Sequence, residues 1–246
     1  MEGSILEAMN VSKSFGGLKA VQSVSFSIMP GEFVGLIGPN GAGKTTLFNL
    51  IAGYYRADQG KIFFEGKDIT GLKPYKICRL GIGRTFQVVR PLPNLTVAEN
   101  IVTGALLHHP DYREAREIAL RIAERVGLVS RLEKKAGGIP IPEKKRLSFA
   151  QALATGARVL LLDEVVAGLN PTEIDAFLGI LRQVTAEGLT ILMVEHIMRA
   201  VMSVAGRIIV LDHGELICQG KPEEVARDER VIKAYLGERY RHRKQE

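Results

Sequence analysis

Tryptophan is absent from this 246-residue chain, aromatic residues as a group make up only 6%, and cysteine occurs just twice. Cys78 and Cys218 lie far apart and outside any metal-ligand spacing, which excludes a disulfide scaffold and a cysteine metal centre and points to free thiols in a reducing compartment. No uninterrupted apolar run approaches the roughly 18 residues that a membrane-spanning helix needs. The clearest runs, Val159 to Leu162 and Ile208 to Leu211, are of strand length. Met1 to Asn10 carries acids and has no basic stretch ahead of an apolar one, so no secretory signal is expected. Internal repeats and low-complexity segments are missing too. What is present is an ordinary globular mixture, 46% hydrophobic and 24% charged, which excludes wholesale disorder. The net charge of +6 and the isoelectric point near 9.3 suit an anionic ligand or surface without requiring one.

Patterning predicts an α/β chain. Apolar and polar residues alternate from Ile5 to Ile28, most clearly in Val24-Ser25-Phe26-Ser27-Ile28, and Pro30-Gly31 then makes a turn, which reads as an antiparallel strand pair. Phe33 to Ile37 is a short apolar run ending at Gly38, and the segment after Lys44 reads as a helix stopped at Gly53. Lys61 to Glu65 is a further strand and Gly66-Lys67-Asp68 a turn. From about Pro91 to Leu153 the pattern is helical, with Ala115, Ile118, Ala119, Ile122 and Val126 three or four apart and Asp111 as the cap. Val159 to Leu162, Thr190 to Val194 and Ile208 to Leu211 alternate with helical stretches, which predicts a mostly parallel sheet with crossover helices.

Three places carry chemistry. Gly38-Pro39-Asn40-Gly41-Ala42-Gly43-Lys44-Thr45 has the phosphate-loop spacing and lies between a strand and a helix, where that loop must lie. Its glycines let backbone N–H groups face phosphate oxygens, Lys44 neutralises the outer phosphates, and the Thr45 hydroxyl is offered to Mg²⁺. The strand Val159 to Leu162 ends in Asp163-Glu164, at the edge where open α/β sheets meet ligands. Asp163 is expected to hold Mg²⁺ through water and Glu164 to act as general base on the attacking water. Thr190 to Val194 ends in Glu195-His196, placing an imidazole at the end of a neighbouring strand.

The order and spacing of these segments resemble the ATP-binding subunits of ABC transporters over about residues 5 to 236. The resemblance implies a RecA-like core with a mostly parallel sheet, an antiparallel β subdomain and a helical subdomain. The expected layout is one ATP-binding domain over residues 1–237, with the core at about 1–87 and 156–225, the helical insertion at about 88–155, and a basic tail at 238–246. It also implies roles. Phe15 becomes the aromatic platform for adenine, Thr46 joins Gly38 to Thr45 in the nucleotide site, and Gln87 in Arg84-Thr85-Phe86-Gln87 senses the γ-phosphate and Mg²⁺. Ala167-Gly168-Leu169-Asn170 becomes the dimer-contacting loop and His196 the switch histidine. Phe15-Gly16-Gly17-Leu18, Thr96-Val97-Ala98-Glu99-Asn100 and Ala234-Tyr235-Leu236-Gly237-Glu238 are similar to one of the two ATPase subunits of branched-chain amino-acid importers.

One departure stands out. The family's LSGGQ signature aligns with Ile139-Pro140-Ile141-Pro142-Glu143, followed by Lys144-Lys145-Arg146. Pro140 and Pro142 suit a first helical turn but donate no N–H, Glu143 brings negative charge where a phosphate approaches, and the three cations that follow are candidates to compensate. Val165 replaces the proline that usually follows the acid pair. The resemblance implies an importer motor subunit that binds ATP and Mg²⁺ and works with transmembrane permease subunits and a second ATP-binding subunit, a heterodimer being favoured. A solute-binding protein is an indirect partner, and nucleic acid is not expected. The chain would then be cytoplasmic and peripheral on the inner face of the membrane. Val88, Val89, Leu92 and Leu95 are expected to form an apolar groove for a helix of the membrane partner. Two alternatives are an ATP-dependent dimerisation module with weak hydrolysis, suggested by the altered signature, and a soluble ATPase of the same fold. The latter usually carries two tandem cassettes, whereas this chain has one phosphate loop.

Overall fold

The computed structural model describes residues 3–85 and 91–242. Its framework follows from two alternations of period two. In the first, Val21, Val24, Phe26 and Ile28 are buried while Ser23 and Ser25 face solvent, as expected for a sheet with one covered face. This is β2 (Leu18–Ile28), antiparallel to β1 (Leu6–Phe15). β4 (Gln59–Phe64) and β5 (Lys67–Asp68) complete a sheet of order β2-β1-β4-β5.

In the second, the strands are buried on both faces. β3 (Phe33–Ile37), β7 (Val159–Asp163) and β8 (Thr190–Val194) are buried at every position. With β6 (Ile82–Arg84), β9 (Arg207–Asp212) and β10 (Glu215–Gly220) they form a sheet of order β10-β9-β3-β8-β7-β6, parallel except for β10. Alternate residues feed two cores. Val34, Leu36, Val159 and Leu161 pack with the antiparallel sheet and α1 (Lys44–Ile51). Phe33, Ile37, Leu160 and Leu162 pack with the helices on the other face. Burying each such side chain contributes about 1.5–3 kcal/mol, so the register of these strands is strongly specified.

α2 (Pro74–Leu80) precedes β6. α3 (Val97–Ala105), α4 (Tyr112–Arg125) and α5 (Ile141–Ala154) fall within the expected helical insertion. Asp111 caps α4 by accepting from the Glu114 N–H at 2.9 Å. α6 (Pro171–Ala186) and α7 (Met198–Val204) follow β7 and β8 as crossovers, and α8 (Pro222–Val225) and α9 (Glu229–His242) close the chain. The boundary expected between residues 237 and 238 therefore falls inside a helix.

One local reading changes. Of Gly66-Lys67-Asp68 only Gly66 belongs to the turn: Glu65 and Gly66 both have positive φ, 48° and 72°, the hairpin geometry that matches strand twist, and Lys67–Asp68 pairs back as β5. His213-Gly214, with φ of 46° and 83°, makes the same kind of turn between β9 and β10.

An ion pair ties the turn after β2 to the parallel sheet. Arg207, opening β9, donates from Nε to Glu32 Oε1 at 2.6 Å and from Nη2 to Oε2 at 3.0 Å, and the Met29 N–H adds a third bond at 2.9 Å. Burial by itself raises the Glu32 pKa, but the Arg207 hydrogen bonds and charge and the Met29 N–H outweigh it and hold the carboxyl below its ordinary value of 4.5. A depressed carboxylate pKa stabilises the fold above its unfolded value, and the contribution is lost as pH falls through the folded value. Unfolding free energy measured from about pH 5 to pH 3 should therefore fall more steeply in the native protein than in Glu32→Gln; identical slopes would remove this pair from the acid response.

Candidate functional site

The site lies where the parallel strands end. Leu36 of β3 pairs with Val194 of β8, and Val194 with Asp163 of β7. The next residues of each strand, Gly38, Glu195-His196 and Glu164, therefore leave the sheet side by side. β6 joins them, its Arg84 paired with Leu161 and the Thr85 N–H donating to the Leu161 carbonyl at 3.0 Å.

Loop 38–43 connects β3 to α1. Gly38, Gly41 and Gly43 have φ of 150°, 78° and 98°, and two of them are also walled in. A Cβ on Gly38 would stand 2.0 Å from the Leu211 carbonyl oxygen, and one on Gly43 would stand 2.2 Å from that of Ala20. The β9–β10 turn closes the loop from a third side: the Gly214 N–H donates to the Ala42 carbonyl at 3.0 Å, and the Gln22 N–H to the Gly214 carbonyl at 2.8 Å. Pro39 is buried and Asn40 exposed. No side chain caps α1, whose first-turn N–H groups have no acceptor within the helix and whose dipole favours an anion there. Lys44 is 5% exposed and donates from Nζ to the Gly38 and Pro39 carbonyls at 2.7 and 2.8 Å, folding its charge over the loop. Thr45 is exposed and Thr46 half-buried in the first turn of α1.

Glu164 and His196 meet: Oε1 and Nε2 are 2.7 Å apart. Glu164 takes φ +49°, a left-handed conformation unusual for a residue with a side chain, in which its N–H still donates to the Val194 carbonyl at 2.9 Å. Asp163 is nearly buried, and its Oδ2 accepts from Arg84 Nη2 at 3.0 Å. Burial pushes the Asp163 carboxyl up, against the opposing pull of Arg84. Arg84 also donates to Asn49 Oδ1 at 2.6 Å and lies over the Tyr54 ring at 5.3 Å. A hydroxyl at Thr45 and a carboxylate at Asp163 are the hard oxygen donors that suit Mg²⁺, although such an ion must compete with Arg84. The sequence motif quoted Arg84 without giving it this role.

Phe15 ends β1, 41% exposed, in an edge-to-face contact with Tyr55 at 5.1 Å and with Lys13 Nζ 5.4 Å from its ring. Its cross-strand partner Leu18 lies two residues before Ala20, whose carbonyl walls the phosphate loop at Gly43. Gln87, Val88 and Val89 lie outside the described residues. Leu92 is exposed and Leu95 half-buried. Their backbone is held by fully buried Asn100, whose Oδ1 accepts from the Leu92 N–H at 2.8 Å and whose Nδ2 donates to the Leu92 carbonyl at 3.0 Å. Ala167 to Asn170 leads into α6, where Asn170 and Glu173 form a reciprocal capping box.

At the signature position α5 begins at Ile141 with Pro140 as its N-cap, and Ile141 is 63% exposed. Two expectations are corrected here. Glu143 does not present a bare charge, because Arg131 Nε lies 2.9 Å from both of its carboxylate oxygens. Lys145 is not a surface cation: it points inward, 8% exposed, and donates to the Glu164 carbonyl at 3.1 Å. Lys144 bonds the Gly137 carbonyl at 3.0 Å.

The ABC transporter family profile matches residues 21–167, and that of the branched-chain amino acid ATP-binding cassette transporter matches residues 215–241. The high-affinity branched-chain amino acid transport ATP-binding protein BraF of Pseudomonas aeruginosa is 38% identical, aligned over 97% of this chain and 100% of its own. The corresponding LivG protein of Escherichia coli K12 is also 38% identical, over 97% and 100%. Among solved structures, a nucleotide-free ATP-binding cassette from an ABC transporter superposes with a TM-score of 0.86 at 31% identity, covering 94% of this chain and 98% of that one. The ADP conformation of an ATP-binding cassette of an ABC transporter gives 0.86 at 32%, covering 95% and 99%.

The walls around the loop make its glycines a direct test. Gly43→Ala places a methyl group against the Ala20 carbonyl at a φ that L-residues rarely adopt. Nucleotide affinity, measured by fluorescence titration, should fall by about tenfold or more, a shift of roughly 1.4 kcal/mol. Gly41→Ala, which meets no atom within 4 Å, should lose less. Equal affinities for the two variants would mean the walls do not shape the loop.

Proposed function

The chain belongs to the ATP-binding cassette family of ABC transporters, which hydrolyses ATP, and from that premise we propose that it is the motor subunit of an importer for branched-chain or related polar amino acids. The observation that carries the reading is the pairing of Glu164 with His196 at 2.7 Å at the ends of the adjacent strands β7 and β8, of which β8 lies beside β3, the strand feeding the phosphate loop. The substrate class rests on the printed names of BraF and LivG and on the family match at residues 215–241.

In this reading the backbone N–H groups of the loop and of the first turn of α1, from Asn40 to Thr46, and the Lys44 ammonium bind the phosphates, and Phe15 receives the adenine. Glu164 takes a proton from the attacking water, and His196, hydrogen-bonded to that carboxylate, holds it in place and supports the γ-phosphate. Thr45 and Asp163, with Gln87, are the residues that would hold Mg²⁺, whose charge would offset that of the phosphates. Among the described residues no helix is long and apolar enough to cross a membrane, so attachment to the inner face would come through permease subunits, with a solute-binding protein acting upstream. In this reading the exposed Leu92 and half-buried Leu95 would contribute to a groove for a permease helix.

Glu164→Gln should keep ATP affinity while slowing hydrolysis by roughly 10² to 10⁴-fold, and Lys44→Ala should abolish nucleotide binding or turnover. Phosphate release and nucleotide titration check both, and near-native turnover by Glu164→Gln would take that residue out of the mechanism.

The altered signature favours a heterodimer. Pro140 and Pro142 donate no N–H, and each hydrogen bond missing at a charged phosphate is worth about 1.5–3 kcal/mol. With a paralogue carrying a complete signature, ATP on this chain's own loop would meet a full partner surface, whereas the paralogue's ATP would face Pro140-Ile141-Pro142. Substituting each cassette's base glutamate separately in the assembled transporter should cost far more activity on this chain. Equal losses would count against the asymmetry, and brisk turnover by this chain alone as a homodimer would show that the altered segment suffices.

A further inference from the structure

Two buried ionisable side chains beside the site have no part in the mechanism above. Lys145, on α5, is 8% exposed, and Glu195, the first residue beyond β8, is 2% exposed. Removing a charge from water is costly, and an apolar residue of similar size would normally serve packing as well or better. Both are directed at the main chain of one short loop. Lys145 Nζ donates to the Glu164 carbonyl at 3.1 Å, and Glu195 Oε1 accepts from the Val166 N–H at 2.8 Å. The second oxygen, Glu195 Oε2, is buried with no hydrogen-bond partner among the described residues. Burial, partly opposed by the Val166 N–H and by Lys145, pushes the Glu195 carboxyl up to about 7.

The loop they hold needs holding. Glu164 sits at φ +49°, a strained conformation that persists only where its surroundings over-determine it. The Val194 carbonyl fixes the Glu164 N–H from below, Lys145 fixes the Glu164 carbonyl from the α5 side, and Glu195 fixes Val166 from the β8 side.

We propose that Lys145 and Glu195 are positioning residues for ATP hydrolysis: together they lock the main chain from Glu164 to Val166 so that the Glu164 carboxylate stays against His196, and Lys145 makes α5 part of that lock. Because α5 starts at the Pro140-Ile141-Pro142 segment, one helical turn before Lys145, a displacement of that segment reaches the base of the same cassette through a single side chain. The proposal rests on the reading of Glu164 as general base.

The test uses Lys145→Met, Lys145→Arg and Glu195→Leu in the full chain. Steady-state hydrolysis is measured in the assembled transporter, and amide hydrogen exchange of residues 164–170 in the purified chain. Misplacing a base by a fraction of an ångström acts on the chemical step. Lys145→Met should therefore lower kcat about tenfold or more while KM stays within about twofold, and Lys145→Arg should restore most of the loss. Exchange at Val166 and Ala167 should quicken in Lys145→Met and Glu195→Leu, with the rest of the sheet unchanged. If Lys145→Met does not fold, Lys145→Gln carries the same comparison with Arg. A kcat within about twofold of native in both apolar variants, or a loss in Lys145→Arg equal to that in Lys145→Met, would overturn the proposal. So would an undiminished further loss when Lys145→Met is added to Glu164→Gln, because the lysine would then act elsewhere. If Glu164→Gln alone keeps native turnover, the base assignment fails, and the lock is judged on exchange: unchanged protection at Val166 overturns it and quickened exchange supports it.

Discussion

The site depends on how closely its phosphate loop is packed. Carbonyl oxygens of Ala20 and Leu211 occupy the space that side chains at Gly43 and Gly38 would need, so the loop is pressed between the antiparallel sheet and β9. A backbone held that way keeps its curvature without help from a ligand. That matters energetically, because a loop that had to be ordered on binding would cost about 1–2 kcal/mol for each residue fixed. The strands that hold it are buried on both faces, and a one-residue slip would turn the apolar set of β3 or β7 onto the wrong core. Packing in the two cores therefore sets where the loop, the acids and the histidine come together.

Charge is arranged around that scaffold by pairing each group internally. Lys44 is held by two loop carbonyls, Asp163 by Arg84, Glu164 by His196 and Glu143 by Arg131. A phosphate or a cation that binds here must exchange these partners for itself, so the net gain is smaller than the gross Coulomb attraction suggests. The trade also favours selectivity: a ligand presenting only one charge leaves other partners in place, whereas a polyphosphate with its cation addresses several of them together. Arg84 stands at the centre of this exchange, since it bonds Asp163 and Asn49 at once.

Much of this could be read from sequence because it is local. Spacing of glycines in the phosphate loop, alternation through Val24-Ser25-Phe26-Ser27-Ile28, Asp111 at a helix start and prolines at the start of α5 all act within a few residues, and each appears where pattern places it. Contacts between distant segments were not legible. Lys144-Lys145-Arg146 reads as a uniform basic run, yet its helical positions turn Lys145 inward to Glu164 and leave Lys144 bonded to Gly137. Glu143 reads as an unneutralised charge until Arg131 is brought beside it. β6 has only three residues, too few to show a period, although it delivers Arg84 to Asp163. The faint signal for Glu195 was an acid immediately after a fully apolar strand, a place where solvent exposure cannot be assumed.

The turn at His213-Gly214 has a consequence for how the protein comes into being. Gln22 Nε2 bonds the His213 carbonyl across 191 residues of sequence, and Gly214 supplies the N–H that closes on Ala42. The phosphate loop is thus a short, local phrase in sequence whose walls come from both ends of the chain. Contacts of such long separation must overcome loop-closure entropy before they stabilise anything. During synthesis the loop would emerge from the ribosome early but gain its final walls only after β9 and its hairpin have been made and docked beside β3. A chain still attached to the ribosome, or one truncated before residue 207, would carry every residue of the phosphate loop and lack the enclosure that shapes it. Competence to hold a nucleotide would then depend on β9 and its hairpin having folded against the loop.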